Sequence, residues 1–184
     1  MKALKRTLIA SLLSGLSITS LNLMAADAPA KPDVNPANNQ RPQVPTAKGP
    51  SLELAVEAAR VAIETCAADG GQKIAVSVVD SAGILKLLLA ADGASPRGVA
   101  SSTNKAITAL NFKTTSSNVG EQAKTDKTLA DKIAADTTIN ARPGGVLLKV
   151  GDEIIGAIGV GGGKTDEPCA LKGIEKIQSR LKAI

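Results

Sequence analysis

The 184-residue sequence contains no histidine, tryptophan or tyrosine, and it has a single phenylalanine. Without histidine, Ser–His and Cys–His catalysis and most histidine-based metal sites are excluded, so we predict no metal site. The lack of aromatic platforms argues against single-stranded nucleic-acid binding. Apolar residues nevertheless make up 43% of the chain, which predicts one domain with a core of small aliphatic side chains.

The formal net charge of +5 is partly carried by the N-terminus. Lys2, Lys5 and Arg6 precede an apolar run from Leu8 to Met24, a pattern typical of a secretory signal peptide. We predict a cleaved signal peptide over residues 1–25 and a periplasmic or secreted protein. Removal of the signal peptide takes away these three cations and lowers the net charge from +5 to +2. A mature protein with so small a charge gives no electrostatic case for nucleic-acid binding. The alternative is a membrane anchor, but serines interrupt a run that is short for a span, so we predict no membrane span in the mature protein.

Residues 26–50 contain six prolines among Ala, Asn, Gln and Lys. Such a composition cannot bury enough apolar surface to order itself, so we predict a disordered linker. The folded domain is then expected over residues 51–184.

Within that domain the hydrophobic periodicity alternates between helical and strand patterns. The run 84–91 is apolar on both faces, so we expect helices or another subunit to cover it. Helix, hairpin, helix, hairpin and helix in this order predict an α+β fold with an antiparallel sheet flanked by the first and last helices. The expected elements are a helix from Ser51 to about Gly70, strands 73–80 and 84–91, a helix from Ser95 to about Phe112, a short helix 126–135, strands 146–150 and 153–160, and a helix capped by Thr165 that runs to the C-terminus.

The two cysteines, Cys66 and Cys169, fall at the end of the first helix and the start of the last. If those helices pack side by side and antiparallel, the two residues meet, and an oxidising compartment permits a disulfide. The alternative is a pair of buried free thiols, because unpaired cysteine is commonly buried.

Three glycines, Gly161–Gly163, separate the last strand from the last helix. Such a junction directs backbone N–H groups to one place, where they can hold a small anionic or carbonyl ligand. The alternative is a simple connection. The following GGGKT is not a nucleotide-binding P-loop, because Ile158 stands where that motif requires glycine.

Several motifs occur in an order that resembles the GlcG/HbpS family of haem-binding or haem-degrading-like proteins. They are VSVVDSAG, ADGA, TNKAITALNF, PGGVLLKVGDEIIGAIGVGGG and CALKG. This resemblance covers residues 51–180. It implies a profilin-like α/β sandwich, homo-oligomers and a small-ligand role associated with haem, glycolate or corrinoid metabolism.

The resemblance also assigns residues. The family's helix motif falls on Lys105, Ala106, Thr108 and Ala109, its hairpin glycines on Gly156 and Gly159, and the acid that opens the last helix on Asp166. The chain departs from the family at Ala90 or Ala91, Leu147 and Gly161, where arginine, proline and serine are common. The ligand-binding residues expected from the resemblance and the glycine loop are Asp92, Lys105, Thr108, Gly144, Gly145, Gly161, Gly162 and Gly163.

The lack of histidine weakens a haem assignment, because haem iron usually takes His, Cys, Met or Tyr as axial ligand. After signal removal no methionine remains, and a disulfide would occupy both cysteines. The cofactor is therefore left unknown, with haem as a candidate.

Three functions stay open. The first is an exported module that binds haem or another carboxylate-bearing molecule between Lys105 and the backbone around Gly144-Gly145 and Gly161–Gly163. The second is an enzyme that uses Lys105 with Asp92 or Asp166 as acid and base on a small oxo acid. The third is a structural homo-oligomer whose strands 84–91 and 154–160 form the subunit contacts.

Overall fold

The structure, a computed structural model, describes residues 47–182. The predicted signal peptide and residues 26–46 of the predicted linker lie outside this range. No helix in the described range is both long and apolar enough to cross a membrane. The range contains α1 (Leu52–Ala68), β1 (Ala75–Asp80), β2 (Leu85–Ala90), α2 (Pro96–Phe112), α3 (Ser116–Ala123), α4 (Lys127–Ala135), β3 (Gly145–Val150), β4 (Glu153–Gly161) and α5 (Asp166–Ile177), followed by a 3₁₀ turn at Gln178–Arg180.

The four strands form one antiparallel sheet in the order β2-β1-β4-β3. Helices α1 and α5 pack together on one face of the sheet, and α2 packs on the other. The larger core lies under α1 and α5 and includes Val76, Ile158 and Cys66. The smaller core lies under α2 and includes Val79 and Ala106. The predicted α+β sandwich is therefore confirmed.

Helix α2 lies unusually close to the sheet because glycines face it. A Cβ atom on Gly145 would collide with the carbonyl of Lys105, and one on Gly159 would collide with the carbonyl of Ser102. The face of α2 that packs against these glycines carries small residues such as Ala106. This backbone-to-backbone packing places Lys105 directly against the end of β4.

Of Ser51, Ser95 and Thr165, with which three helices were expected to start, the first two make capping hydrogen bonds. Ser51 Oγ accepts the Leu54 N–H at 3.3 Å, and Ser95 Oγ accepts the Gly98 N–H at 3.0 Å. Thr165 occupies the N-cap position of α5 but makes no capping hydrogen bond. Its hydroxyl instead donates to the Asp69 carboxylate at 2.6 Å, so it ties α5 to the end of α1.

The structure differs from the expected elements at three main points. Helix α3 lies within a polar stretch for which the periodicity predicts only the helix 126–135. Helix α5 ends at Ile177 instead of continuing to the C-terminus. Residues 48–50 belong to the domain, since Lys48 N donates to Ser81 Oγ and Lys48 O accepts the Ser81 N–H, both at 2.8 Å.

Strand β2 is an edge strand, and the described residues 47–182 do not cover it on both faces. Ile84 just before it is 62% exposed, and Leu85 and Leu88 within it are 46% and 39% exposed. Strand β4, by contrast, lies between β1 and β3, and its residues 155–161 are buried. The predicted subunit contact through 154–160 is therefore wrong, because its own chain already covers that strand.

Cys66 and Cys169 form a disulfide, as the sequence predicts among its alternatives. The bond joins the last turn of α1 to the first turn of α5, with a Cα–Cα distance of 5.7 Å. It forms there because the two helices run antiparallel beside each other over the sheet. The N-terminus of α5 is thereby fixed in position.

The turn between β1 and β2 offers a test of the local structure. Asp80 Oδ1 accepts the N–H groups of Ala82 and Ile84, both at 2.9 Å. Replacement by alanine leaves these donors without their partner, so we expect Asp80→Ala to lower the free energy of unfolding by about 2 kcal/mol. Urea unfolding measures this.

Asp92 provides the matched control, because it is exposed in the turn after β2 and makes no side-chain hydrogen bond within residues 47–182. We expect Asp92→Ala to change stability by less than about 0.5 kcal/mol. Equal effects of the two substitutions would contradict the role given to Asp80.

Candidate functional site

A buried ion pair lies at the junction of α2, β4 and α5. Lys105 Nζ is 2.6 Å from Asp166 Oδ2 and donates to the Val160 carbonyl at 3.0 Å. The two side chains are only 4% and 7% exposed. Buried charges persist when they are paired and hydrogen-bonded, and this pair meets both conditions.

The N-terminus of α5 explains the placement of the acid. Asp166 is the first residue of the helix, where a carboxylate interacts favourably with the helix dipole. Its second oxygen, Oδ1, accepts the Gly163 N–H at 2.8 Å and so fixes the glycine loop. Glu167 Oε2 accepts the Gly144 N–H at 3.2 Å, and Oε1 accepts the Ser117 hydroxyl at 2.9 Å. The helix start thus holds the surrounding loops together.

Gly144 is required where it stands. Its φ of +130° is rarely adopted by other residues, and a Cβ there would lie 2.9 Å from the Asp166 Cβ and 3.0 Å from Lys105 Nζ. Its neighbour Gly145 donates its N–H to Ser116 Oγ at 2.8 Å. The paired glycines therefore make room for the ion pair.

A cavity of about 400 Å³ opens beside the ion pair. Three exposed cations surround it: Arg97 from α2, Arg142 before β3, and Lys164 after the glycine loop. None of the three is within salt-bridge distance of a carboxylate in the described range, whereas Lys105 is neutralised by Asp166. We call this cavity the cation pocket; it is lined by Ser95, Arg97, Gly98, Ser101, Lys105, Arg142, Pro143, Gly162, Gly163, Lys164 and Asp166.

The structure brings three of the eight expected ligand-binding residues to the cation pocket: Lys105, Gly162 and Gly163. Gly144, Gly145 and Gly161 lie buried behind it and shape its wall.

The other two lie elsewhere. Thr108 faces away from the cation pocket, where its hydroxyl accepts the Asn140 N–H at 2.9 Å. Asp92 lies in the turn after β2 and does not line the pocket.

Sequence reasoning missed the three exposed cations. They come from separate segments and form no contiguous motif. Two of them flank the glycine motifs directly, since Arg142 stands two residues before Gly144 and Lys164 follows Gly163. Their position beside these glycines is a signal for two of the three cations, but it does not show that the three meet in the fold.

Comparison with known proteins identifies the family. Residues 51–175 match the family described as haem degrading protein HbpS-like. The chain belongs to this HbpS-like family. No curated protein matches the chain.

Solved structures agree with the assignment. The crystal structure of HbpS superposes with a TM-score of 0.64 at 28% identity, covering 73% of this chain and 94% of that one. A double mutant of Streptomyces reticuli HbpS gives a TM-score of 0.64 at 26% identity, covering 83% and 98%. A PduOC:heme complex gives 0.63 at 20% identity over 74% and 97%, a likeness that shows the fold alone.

Residues 47–182 of this HbpS-like chain contain none of the usual axial ligands of haem iron in a free form. Histidine and tyrosine are absent from the sequence, and both cysteines are in the disulfide. The two methionines, Met1 and Met24, lie outside the described range. The exposed cations suit the carboxylates of a ligand, but the described residues offer no His, Tyr, Met or free Cys to haem iron. Within residues 47–182, no group of three or more His, Cys, Asp or Glu is placed to hold a metal ion.

Proposed function

We propose that this HbpS-like chain is an exported protein that binds a small carboxylate-bearing or similarly anionic molecule in the cation pocket. One observation carries the proposal: three cations that have no carboxylate partner among residues 47–182 surround a 400 Å³ cavity, and a neutralised ion pair lies at its base. Such an arrangement attracts an anion, and Gly162 and Gly163 add main-chain surface that lets a ligand approach closely.

The proposed role of Lys105 differs from a direct contact with the ligand. Its charge is satisfied by Asp166, and its side chain is 4% exposed. It therefore builds the floor of the pocket, while Arg97, Arg142 and Lys164 neutralise the ligand. Haem is the less favoured ligand, because the cations suit its propionates but the described residues include none of the usual axial ligands of its iron.

The cation pocket is tested by titrating the purified protein with acetate, inorganic phosphate and haemin. We expect acetate and phosphate to shift the amide resonances of Gly98, Gly162 and Gly163 saturably, and haemin to give no saturable axial-ligand spectrum. The Arg97→Gln/Arg142→Gln/Lys164→Gln variant should bind the two anions at least about tenfold more weakly.

A control variant that loses the same number of positive charges distinguishes binding in the cation pocket from general electrostatic attraction of anions to the protein. Arg60, Lys149 and Lys182 are exposed and lie outside the cation pocket. The Arg60→Gln/Lys149→Gln/Lys182→Gln variant should keep wild-type affinity. Equal weakening in both triple variants, or no anion binding by the wild-type protein, would overturn the proposal.

A second candidate is acid–base chemistry on a small oxo acid. It is favoured by the 2.6 Å approach of Lys105 Nζ to Asp166 Oδ2, since such chemistry needs two titratable groups within hydrogen-bond reach. Asp92 does not take part in this arrangement. Incubation of oxo acids with the wild-type protein in deuterated water, followed by NMR for deuterium at the carbon next to the oxo group, tests this candidate. Exchange at the same rate with Asp166→Asn would rule it out.

Export and self-association complete the proposal. The N-terminal pattern supports export, and the exposed Ile84, Leu85 and Leu88 on the β2 edge support a second copy of the chain there. Native mass spectrometry of protein recovered from the periplasm tests both, because it reports the mature N-terminus and the assembly. An uncleaved chain, or a monomer at all concentrations, would contradict the corresponding part.

A further inference from the structure

A second cavity adjoins the cation pocket. It has a volume of about 330 Å³ and shares Arg97, Ser101 and Arg142 with the first cavity. The two cavities are therefore neighbouring compartments of one site, separated by these side chains. We call the second compartment the amide cleft, after its two asparagines, Asn104 and Asn140.

The two compartments differ in chemistry. Beyond the shared residues, the cation pocket adds charged groups and glycine backbone, whereas the amide cleft adds neutral hydrogen-bonding groups and the apolar side chains of Ala100 and Ile139. Asn104 Nδ2 makes only a long contact of 3.5 Å with the Thr137 carbonyl. The Thr137 hydroxyl has no hydrogen bond within residues 47–182. These two residues can therefore exchange hydrogen bonds with a ligand.

The segment that carries Thr137 is held in place from both sides. Asp136 Oδ1 accepts the hydroxyl and the N–H of Thr138 at 2.6 and 2.9 Å, and these hydrogen bonds lower the pKa of Asp136. At the other end, Asn140 N donates to Thr108 at 2.9 Å and its side-chain amide donates to Ser101 at 2.9 Å. The cleft is thus preorganised, which lowers the entropy lost when a ligand binds.

We propose that the ligand has two parts, an anionic group that occupies the cation pocket and a hydroxylated body that occupies the amide cleft. Sugar acids and sugar phosphates have this chemistry. Hydroxyl groups both donate and accept, as do the side chains of Asn104 and Thr137, and Ile139 can contact the C–H face of a sugar ring. The inference rests on the proposed function and specifies the ligand class of the same site.

Fragment titrations test the two-part ligand on the purified wild-type protein. Glucuronate is compared with acetate, and glucose 6-phosphate with inorganic phosphate, by NMR. We expect at least one sugar anion to bind about tenfold more tightly than its fragment, because it adds two or more hydrogen bonds in the amide cleft. The sugar anion whose affinity exceeds that of its fragment by the larger factor identifies whether the natural anion is a carboxylate or a phosphate.

The Asn104→Ala/Thr137→Val variant should lose this tenfold gain while it binds acetate and phosphate as the wild-type protein does. Asn111→Ala/Thr128→Val, which removes an exposed asparagine and threonine outside both compartments, should keep the gain. Fragments that bind as tightly as the sugar anions, or a gain that survives Asn104→Ala/Thr137→Val, would overturn the two-part ligand but not anion binding in the cation pocket. Failure of every anion to bind would instead overturn the proposed function and this inference together.

Discussion

The Asp166→Asn variant is expected to lose about 3–5 kcal/mol of unfolding free energy relative to the wild-type protein. Asparagine has nearly the shape of aspartate and can still accept the Gly163 N–H, so the substitution chiefly removes a negative charge. The Lys105 ammonium, 4% exposed, then keeps the Val160 carbonyl as a partner but has no counter-ion in the described structure. We expect the urea midpoint to fall with little change in the slope of the transition.

Two controls identify the cause. The Lys105→Met/Asp166→Asn variant removes both charges at nearly constant volume, and we expect it to recover most of the lost stability. Asp131→Asn removes a carboxylate whose pair with Lys127 lies on the surface, with the two side chains 66% and 87% exposed, and should change stability by less than about 1 kcal/mol. An Asp166→Asn loss no larger than that of Asp131→Asn would show that Lys105 does not depend on its counter-ion.

The sheet and the long helices could be predicted because each has a local signal. Ser51 and Ser95 mark helix starts, and turn residues separate the apolar runs that became the two hairpins. Helix α3 was missed for a physical reason, since its one buried large apolar side chain is Val119. One buried apolar residue does not produce the hydrophobic periodicity from which a helix is predicted.

The burial of Lys105 could have been predicted from a different pattern. Gly98, Ser102, Lys105 and Ala109 recur at steps of four, three and four, so the face that carries the lysine is otherwise made of small residues. Small residues on a helix match the strand glycines opposite them, Gly145 and Gly159. A lysine in such a stripe enters a closely packed interface and needs a buried acid as partner.

The cation pocket could not be predicted from the chain alone, because its charges meet only through tertiary structure. Arg97 lies on α2, Arg142 precedes β3, and Lys164 precedes α5. Each is an ordinary surface cation when read in sequence. Their convergence depends on the close approach of α2 to β4, which in turn requires Gly145 and Gly159 opposite the helix.

The Cys66→Ala/Cys169→Ala variant is expected to lose about 4–5 kcal/mol of unfolding free energy. The bond joins residues 103 positions apart, and a cross-link over so long a loop removes many conformations from the unfolded chain. Both positions are buried, and alanine keeps them apolar, so no polar group is buried by the change. We also expect a steeper urea transition, because the unlinked chain exposes more surface when it unfolds.

Measurements in reductant distinguish the stability contributed by the disulfide bond from the stability contributed by packing of the cysteine side chains. Wild-type protein in reductant keeps both cysteine side chains, so any stability that it loses belongs to the bond itself, and the remaining difference from the double-alanine variant measures the missing sulfur atoms. The variant should not respond to reductant at all. Two reactive thiols in the unreduced native protein, or a wild-type midpoint unchanged by reductant, would contradict the bond.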